Sequence, residues 1–521
     1  MGCARSRRGP PVTTLPGAEQ VDRFRRGIAR HLGLHFDDGK LALLADVLRG
    51  RLEALKQGTD AYLARLEAAA SADESQALAR ALTVAETFFF RHIEQFRAFS
   101  EIALPDRARA AQEAGRRLQI LSAGCASGEE PYSLAMLVRE AAGVRPSDVD
   151  IVGVDVNPAM LEKAARGRFS SWVLRETPPD TVQRWFRSEG REFVLDDVVR
   201  NAVRFELRNL AGAAGSTWLP EAFDVIFCRN VLMYFTPEGA QMLVERLAST
   251  LHTGGYLFLG HAETLRGLSS DFHLRQTHGA FYYQRRGRLR SDVRALDHTA
   301  PAPSIRQTAI RDLVDDAGTW VEAIRQASSR IEALAESPSL VSARAGAGDG
   351  LVRPRWDVGL ALELLEKERF AEALELVQAL PPEWDSDAEV LLLHAVLLTH
   401  GGELSRAERA CERLLEIDEL NAGAHYLLAL CREGAGDRAG SIRHDQAAIY
   451  LDPGFAMAHL HLGLLARRAS DSRAARGALR QAMALLPRED ASRLLLFGGG
   501  FGRDTLVSLC RAELAGCGGN G

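Results

Sequence analysis

Between Leu118 and Gln284, short apolar segments alternate with helical segments, and this alternation constrains the fold more than any other feature of the chain. The apolar segments are, in order, LQILSA, DIVGVDV, VRFEL, FDVIFCRN, YLFLGHAE and AFYYQ. Strands that alternate with helices form a mostly parallel sheet with helices on both faces. The sequence therefore predicts a three-layer α/β domain, with a hairpin at its C-terminal end.

Residues 17–105 precede this alternation and have the periodicity of helices. Phe24, Ile28 and Leu32 recur at four-residue spacing, which places them on one stripe of a first helix. Further apolar-periodic segments cover 41–55, 61–70 and 76–84. We therefore expect a disordered leader over 1–16, a helical domain over 17–105 and the α/β domain over 106–288.

Residues 168–208 interrupt the alternation of strands and helices. Within this range, the segments WFRSEGREFVLDD and VRNAVRFEL have the pattern of short strands joined by turns. We interpret 168–208 as a small antiparallel β insert.

The C-terminal part of the chain contains a 34-residue repeat. In frames that begin at 354, 388, 422 and 456, small residues occupy the eighth place (Ala361, Ala395, Ala429, Gly463) and the twentieth place (Ala373, Ala407, Ser441, Ala475). This period is typical of the tetratricopeptide repeat, in which small residues let paired helices approach closely. We expect an all-α solenoid over 351–490, preceded by a linker over 289–350 and followed by a tail over 491–521.

Composition excludes several classes of protein. The 521 residues suffice for several domains, and the net charge of −5 does not favour a nucleic-acid partner. Seven scattered cysteines without a C-x-x-C pair indicate a reducing compartment and disfavour disulfides or zinc. No apolar run reaches the ~18–20 residues of a membrane helix. We therefore expect a cytoplasmic protein without an integral membrane segment, and we interpret the myristoylation-like start MGCARS as an accidental match.

The stretch 121-LSAGCASGEEPYSLAM-136 combines a small-residue turn with two acids. Gly124 and Gly128 suit a turn between a strand and a helix that binds a ligand, and the usual ligand of such a turn is a phosphate. Glu129 and Glu130 at the helix entrance would repel a pyrophosphate, which disfavours NAD. A cationic ligand fits both features, and S-adenosylmethionine (SAM) carries a sulfonium and an ammonium group.

Asp155 ends the following apolar segment, 31 residues after Gly124. A carboxylate in this position can accept hydrogen bonds from both ribose hydroxyls of a nucleoside. Two alternatives remain open: the glutamates favour a helix N-terminus whatever is bound, and Asp155 could cap the helix that Asn157-Pro158 begins.

The motifs TFFFRH (87–92), LSAGCASGEEPYSLAM (121–136), NL (209–210), DVIFCRNVLMYF (224–235) and GGYLFLGHAETL (254–265) resemble, in this order, the CheR-type chemotaxis receptor methyltransferases. The resemblance covers about residues 17–290. It implies an N-terminal helical domain and a class I, Rossmann-like methyltransferase domain with a β insert. It also implies SAM-dependent methyl esterification of receptor glutamates, with S-adenosylhomocysteine as product. Fused repeats are similar to those of members in surface- or biofilm-linked chemosensory systems.

The resemblance also implies a cofactor site. Its residues are Thr87, Arg91, Gly124, Glu129 or Glu130 at the methionine end, Asp155 at the ribose, Asn209 and Leu210 at the adenine, and Asn230 and Val231 on the cleft floor. One position departs from the family pattern: Ala85 stands where an Asn is usual. We expect the loss of one hydrogen bond, which weakens binding by ~1 kcal/mol.

The expected chemistry is the displacement of a methyl group by a glutamate carboxylate. This nucleophile is already ionised at neutral pH, so positioning and desolvation remain as the task of the protein, and no metal is expected. We predict that Arg91 orients the carboxylate and that Tyr234 bounds the methyl site. His261 and Glu263 are interpreted as structural polar groups, and Cys125 and Cys228 as small apolar fillers.

The expected partners are the acidic methylation helices of a chemoreceptor and an unidentified protein in the repeat groove. Arg23, Arg26 and Arg30 form a basic stripe that could steer receptor docking. The short turn at 188–191 leaves open whether the insert captures a receptor tail. Two alternative functions also remain: a SAM-sensing scaffold with weak catalysis, and a carboxyl methyltransferase for another acceptor.

Overall fold

The computed structural model describes residues 16–68, 70–83, 86–212, 218–287, 358–367 and 369–517. The chain divides into two compact units, Met1–Arg290 and Ser291–Gly521. The leader (apart from Pro16), Ala85 and the linker over 289–350 lie outside the described residues. No helix in the described ranges has both the length and the apolar character needed to cross a membrane.

Four helices form the N-terminal part of the first unit: α1 (Ala18–Leu32), α2 (Leu41–Leu55), α3 (Thr59–Ala68) and α4 (Ala72–Leu82). Phe24, Ile28 and Leu32 of α1 are buried, as their spacing predicts. Gly33 ends α1 with φ 73°, the left-handed conformation that glycine adopts most easily. The predicted helices over 17–84 are thereby confirmed. Val156 and Tyr234 from the adjoining α/β part pack against their shared core.

A seven-stranded sheet forms the centre of the first unit, in the spatial order β6-β2-β1-β7-β8-β10-β9. Its strands are β1 (Leu118–Ala123), β2 (Val149–Asp155), β6 (Val203–Leu207), β7 (Phe223–Cys228), β8 (Leu251–Leu259), β9 (Phe272–Thr277) and β10 (Ala280–Arg285). The first five are parallel in space, whereas β9 and β10 form an antiparallel hairpin. All six predicted apolar segments are strands, and the expected hairpin is present.

The described residues of the first unit form further helices: α5 (Ile93–Ala98), α6 (Leu104–Glu113), α7 (Glu129–Glu140), α8 (Pro158–Arg166), α9 (Pro179–Trp185), α10 (Asp197–Arg200) and α11 (Pro237–Thr250). A π-helical turn, Phe99–Ala103, joins α5 to α6. Residues of α5, α6 and α7 share one buried cluster with the sheet. The strand order reverses between the neighbouring strands β1 and β7, and such switch points commonly hold ligands at the carboxyl ends of the strands.

The insert is a separate three-stranded antiparallel sheet in the order β3-β5-β4. Its strands are β3 (Arg168–Ser170), β4 (Phe186–Glu189) and β5 (Glu192–Leu195). The expectation that VRNAVRFEL belongs to this appendage is wrong. VRFEL is β6, which pairs in parallel with β2 at the edge of the main sheet. Its alternating pattern suits a half-buried edge strand as well as an antiparallel one.

The second unit consists of paired helices: α12 (Val358–Glu366) with α13 (Phe370–Gln378), α14 (Ala388–His400) with α15 (Leu404–Ile417), α16 (Ala422–Gly434) with α17 (Arg438–Leu451), and α18 (Ala456–Arg468) with α19 (Ser472–Leu485). α14, α16 and α18 begin at the predicted 34-residue intervals. A Cβ on Gly463 would lie 2.7 Å from Leu479, which explains the small residue there. The segment expected as a tail contains two more helices, α20 (Ala491–Phe497) and α21 (Arg503–Gly516).

Candidate functional site

The turn between β1 and α7 is tied to the end of β2 by backbone hydrogen bonds. The N–H groups of Gly124 and Cys125 donate to the carbonyl of Val154 at 2.8 and 3.0 Å. Gly124, Ala126 and Gly128 have φ values of 77°, 46° and 92°. A sequence of small residues is therefore needed, since larger side chains rarely adopt this conformation.

Asp155 lies beside this turn. One oxygen of its carboxylate accepts from the Ala126 N–H at 2.9 Å, and the other from the Asn157 N–H at 2.8 Å. Burial raises the pKa of this carboxyl, against the opposing effect of both donors. The cap of α8 is Asn157, whose side chain accepts from the Ala159 N–H. Capping of α8 therefore does not account for Asp155.

Glu129 is the first residue of α7 and is fully buried. The hydroxyl of Ser127 donates to its carboxylate at 2.8 Å. Among the described residues, no Lys, Arg or His forms an ion pair with it, and burial raises its pKa. A buried carboxylate without a cationic partner is unfavourable alone, so the position favours a positively charged ligand.

Glu130 has different partners. Its carboxylate lies 3.3 Å from the guanidinium of Arg229 and accepts from the Ser122 hydroxyl at 2.7 Å. Burial raises the pKa of Glu130, and the Arg229 charge opposes this. The two adjacent acids are therefore not equivalent, because one is already neutralised inside the protein.

Arg229 is a site residue that the sequence interpretation missed. It is 7% exposed, and besides Glu130 it contacts the backbone carbonyl of Arg91, to which Nη2 donates at 2.5 Å. Its position directly after the apolar strand FDVIFC could have identified it, because a charged side chain at the end of a buried strand requires a partner of opposite charge.

The TFFFRH segment forms an irregular loop against α7. Phe90 and His92 have φ values of 54° and 57°, and the Phe90 N–H donates to the Ser133 hydroxyl at 3.1 Å. The Arg91 guanidinium donates to the Glu86 carbonyl at 3.2 Å. Thr87 is half-buried in the same loop. The loop, Arg229 and Glu130 thus form one connected group.

The loop after β7 is held by Glu263. This buried carboxylate accepts from the N–H groups of Asn230 at 2.7 Å, Gly260 at 2.8 Å and Met233 at 3.4 Å. Asn230 has φ 57° and needs such support. Glu263 therefore has the contacts of a structural polar group, as interpreted from the sequence.

Val231 follows Asn230 and touches the small-residue turn. A Cβ on Gly124 would lie 2.5 Å from Cγ2 of Val231, so the loops after β1 and β7 meet closely here. Cys125 and Cys228 are buried beneath these loops.

Asn209, Leu210 and Tyr234 lie where the sheet meets the helical domain. The Asn209 side-chain amide donates to the His31 carbonyl at 2.8 Å, and Leu210 is buried. The Tyr234 carbonyl accepts from the His35 N–H at 2.7 Å, and its ring packs on the helical core. These residues anchor α1 and the segment after it.

The basic stripe on α1 is largely neutralised by the helical domain itself. Arg23 forms ion pairs with Glu67 at 2.8 Å and Asp60 at 3.4 Å, and Arg26 pairs with Asp22 at 3.2 Å. Arg30 donates to the carbonyl of Glu67 at 2.9 Å. The suggestion that this stripe steers receptor docking stays a prediction, and the acids of α1 and α3 already engage Arg23 and Arg26.

These contacts suit SAM better than an anionic nucleotide. Glu129 offers a carboxylate that forms no ion pair within the described ranges, while Asp155 offers acceptor oxygens at the end of β2. No group of three or more potential metal-ligating His, Cys, Asp or Glu side chains is found in the described part of the chain.

Comparison with known proteins agrees with this geometry. Residues 85–281 match the family model described as CheR methyltransferase, SAM binding domain. The chain is 35% identical over 277 residues to chemotaxis protein methyltransferase 2 of Vibrio cholerae, an alignment that covers 52% of this chain and 95% of that protein. It is 29% identical over 459 residues to the probable biofilm formation methyltransferase WspC of Pseudomonas putida, which covers 87% of this chain and 96% of that protein. The chain therefore belongs to the family of CheR-type chemotaxis protein methyltransferases.

Proposed function

We propose that this enzyme transfers a methyl group from SAM to glutamate side chains of a chemoreceptor, forming methyl esters and S-adenosylhomocysteine. The observation that carries the proposal is Glu129, a buried carboxylate at a helix entrance that forms no ion pair within the described part of the chain. The match to a SAM-binding domain and to chemotaxis methyltransferases supports the same conclusion.

We assign the binding of SAM to residues around the ends of β1, β2 and β7. Glu129 would hold the ammonium group and Asp155 the ribose hydroxyls. The remaining contacts would come from Thr87, Gly124, Asn209, Leu210, Asn230 and Val231. When bound, SAM supplies a methyl group that its sulfonium has already activated.

The substrate carboxylate requires orientation more than activation. A glutamate is ionised at neutral pH, so a general base is unnecessary. Arg91 would hold one carboxylate oxygen while the other faces the methyl group, and Tyr234 would bound that position. Burial, together with the charge of Arg229, lowers the pKa of the neighbouring His92 to about 4. This histidine is therefore neutral at neutral pH and does not compete with Arg91 for the carboxylate.

The receptor would belong to a surface- or biofilm-linked chemosensory system. The similarity to a relative named for biofilm formation extends over both units of the chain and supports this assignment. We assign the paired helices of the second unit to the binding of a protein partner. The cytoplasm, where the methylation helices of chemoreceptors lie, would be the compartment of the reaction.

Base-labile methylation tests the proposal. The full-length protein is incubated with methyl-labelled SAM and with the cytoplasmic fragments of the chemoreceptors of the same genome. A glutamate methyl ester releases volatile labelled methanol in base. A scaffold would transfer no label, and a methyltransferase for small carboxylic acids would label such acids but no receptor fragment. Either result would contradict the proposal.

A further inference from the structure

A group of arginine and aromatic side chains, partly exposed, adjoins the TFFFRH loop. The Arg175 guanidinium lies 3.7 Å from the ring centroid of Phe88 and 4.4 Å from that of Trp172. The Arg91 guanidinium lies 5.5 Å from the same Phe88 ring. These four residues, Phe88, Arg91, Trp172 and Arg175, are named here the arginine–aromatic patch.

The patch is unusual in its exposure. Trp172 is 67% exposed, although tryptophan normally buries most of its surface, while Phe88 beneath it is buried. Arg175 is exposed as well. Tryptophan and arginine are the residue types most enriched at the energetic centres of protein interfaces.

The patch carries positive charge that the protein does not neutralise. Within the described ranges, neither Arg91 nor Arg175 forms an ion pair with a carboxylate. Two arginines on the strands of the insert differ, since Arg168 pairs with Glu189 and Glu192, and Arg187 with Glu189. On α1, Arg23, Arg25 and Arg26 form ion pairs as well. An acidic partner would therefore find at the patch two arginines that share the Phe88 ring and form no ion pair within the described ranges.

The patch is joined to the candidate site by direct contacts. The Phe89 N–H donates to the Val173 carbonyl at 2.9 Å, which ties the TFFFRH loop to the turn that carries Trp172 and Arg175. Arg91 belongs to both regions, because its guanidinium lies near Phe88 while its carbonyl accepts from buried Arg229. A substrate whose glutamate reaches Arg91 would cover Arg175 and Trp172.

We propose that the arginine–aromatic patch docks the acidic helical surface of the receptor around the glutamate to be methylated. This inference rests on the proposed function. Contacts with the rings of Phe88 and Trp172 restrain the Arg175 guanidinium, so little side-chain entropy is lost when it binds a second acidic residue of the receptor helix. Trp172 covers the aliphatic part of that helix. Arg175 and Trp172 thereby determine substrate affinity without taking part in methyl transfer.

Steady-state kinetics with variants of the patch test this inference. The full-length protein is assayed with a receptor fragment that the wild type methylates, and compared with Arg175→Glu, Arg175→Ala and Trp172→Ala. The matched control is Arg109→Glu on α6, where the arginine is also exposed and without a carboxylate partner among the described residues. We expect KM for the receptor to rise about tenfold in Arg175→Glu and about threefold in the two alanine variants. The Kd for SAM and the value of kcat should stay within about twofold of the wild type, as in the control.

Each other outcome overturns the inference. Patch variants with the KM of the Arg109→Glu control would show that the receptor does not touch this surface. A change in SAM affinity or kcat alone would assign the patch to the cofactor site. Loss of binding to vesicles of anionic phosphatidylserine, with an unchanged KM for the receptor, would assign it to a membrane surface. A wild type that methylates no receptor fragment would remove the proposed function itself, and this is seen before any variant is made.

Discussion

The Arg229 guanidinium lies 3.3 Å from the Glu130 carboxylate, and both side chains are largely enclosed by the protein. Adjacent Glu129 forms no ion pair among the described residues, and its carboxylate accepts from the Ser127 hydroxyl. Two neighbouring acids of the same type therefore have separate tasks. We infer that Glu130 neutralises an internal charge and that Glu129 is left for a ligand.

Substitution of the two glutamates should separate these tasks. Glu129→Gln should weaken SAM binding by about 2 kcal/mol, or about 30-fold in Kd, because the charge opposite the ligand ammonium is lost. Glu130→Gln should instead lower the free energy of unfolding by about 3–5 kcal/mol, since Arg229 stays buried without its partner. Titration calorimetry and thermal unfolding measure the two effects. Weaker SAM binding in Glu130→Gln, with loss of stability in Glu129→Gln, would show that Glu130 is the cofactor ligand.

Replacement of Arg91 should affect turnover more than cofactor affinity. Arg91→Ala is expected to lower kcat about 100-fold, because the incoming carboxylate loses its orientation, while the Kd for SAM changes little. Arg97→Ala on α5, an exposed position, serves as the control. Equal losses in kcat and SAM affinity would place Arg91 at the cofactor instead of the substrate.

Gly124 should not tolerate a side chain. Its φ of 77° costs an alanine about 1–2 kcal/mol, and the added Cβ would lie 2.5 Å from Val231. We expect Gly124→Ala to lower both stability and SAM affinity, and Val231→Ala in the same chain to restore part of the loss by removing the clash. Gly50→Ala in α2, where no atom lies within 4 Å, should be neutral or stabilising. A Gly124→Ala protein as stable as the wild type would contradict this account of the turn.

Glu263 should act through the loop that it supports. In Glu263→Gln, one of the three backbone N–H donors loses its acceptor, which costs about 1–3 kcal/mol and loosens Asn230 and Val231. We expect lower thermal stability together with weaker SAM binding, both measured on the full chain. Glu245→Gln on the exposed face of α11 is the matched control and should change neither.

The repeat unit should lose stability in alkaline solution. Buried His461 lies between Asp445, at 2.8 Å, and Glu433, at 3.2 Å, and these carboxylates raise its pKa from 6.5 to about 9 despite its burial. A raised pKa means that the folded state binds the proton more tightly, so this stabilisation is complete below pH 6.5 and is lost as the pH rises through about 9.

Amide exchange over residues 422–468, corrected for the intrinsic effect of pH, measures this loss. In the wild type, the free energy of local unfolding of this segment should fall as the pH rises from about 7 to about 9.5. The dependence should disappear in His461→Gln, which has no titrating ring. An exchange profile that is flat with pH in the wild type would show that His461 is not charged in the folded protein.

The helices, the strands and the 34-residue repeat could be predicted because each leaves a pattern among residues that are close in the sequence. The boundaries of α2 follow from apolar spacing over 15 residues, and the starts of α14, α16 and α18 follow from the 34-residue period. The assignment of VRFEL to the insert failed because a short edge strand carries no signal that distinguishes the sheet it joins.

The sequence by itself determined the parallel sheet, the paired repeats and an acidic small-residue turn suited to a cationic cofactor, since each depends on the order of neighbouring residues. Only the tertiary structure decided which acid is free and which positive charges face solvent. Glu130 and Arg229 are 99 positions apart, and Arg23 of α1 pairs with acids of α3. Such pairings depend on which elements pack together, because an ion pair forms across space between groups that the chain keeps far apart.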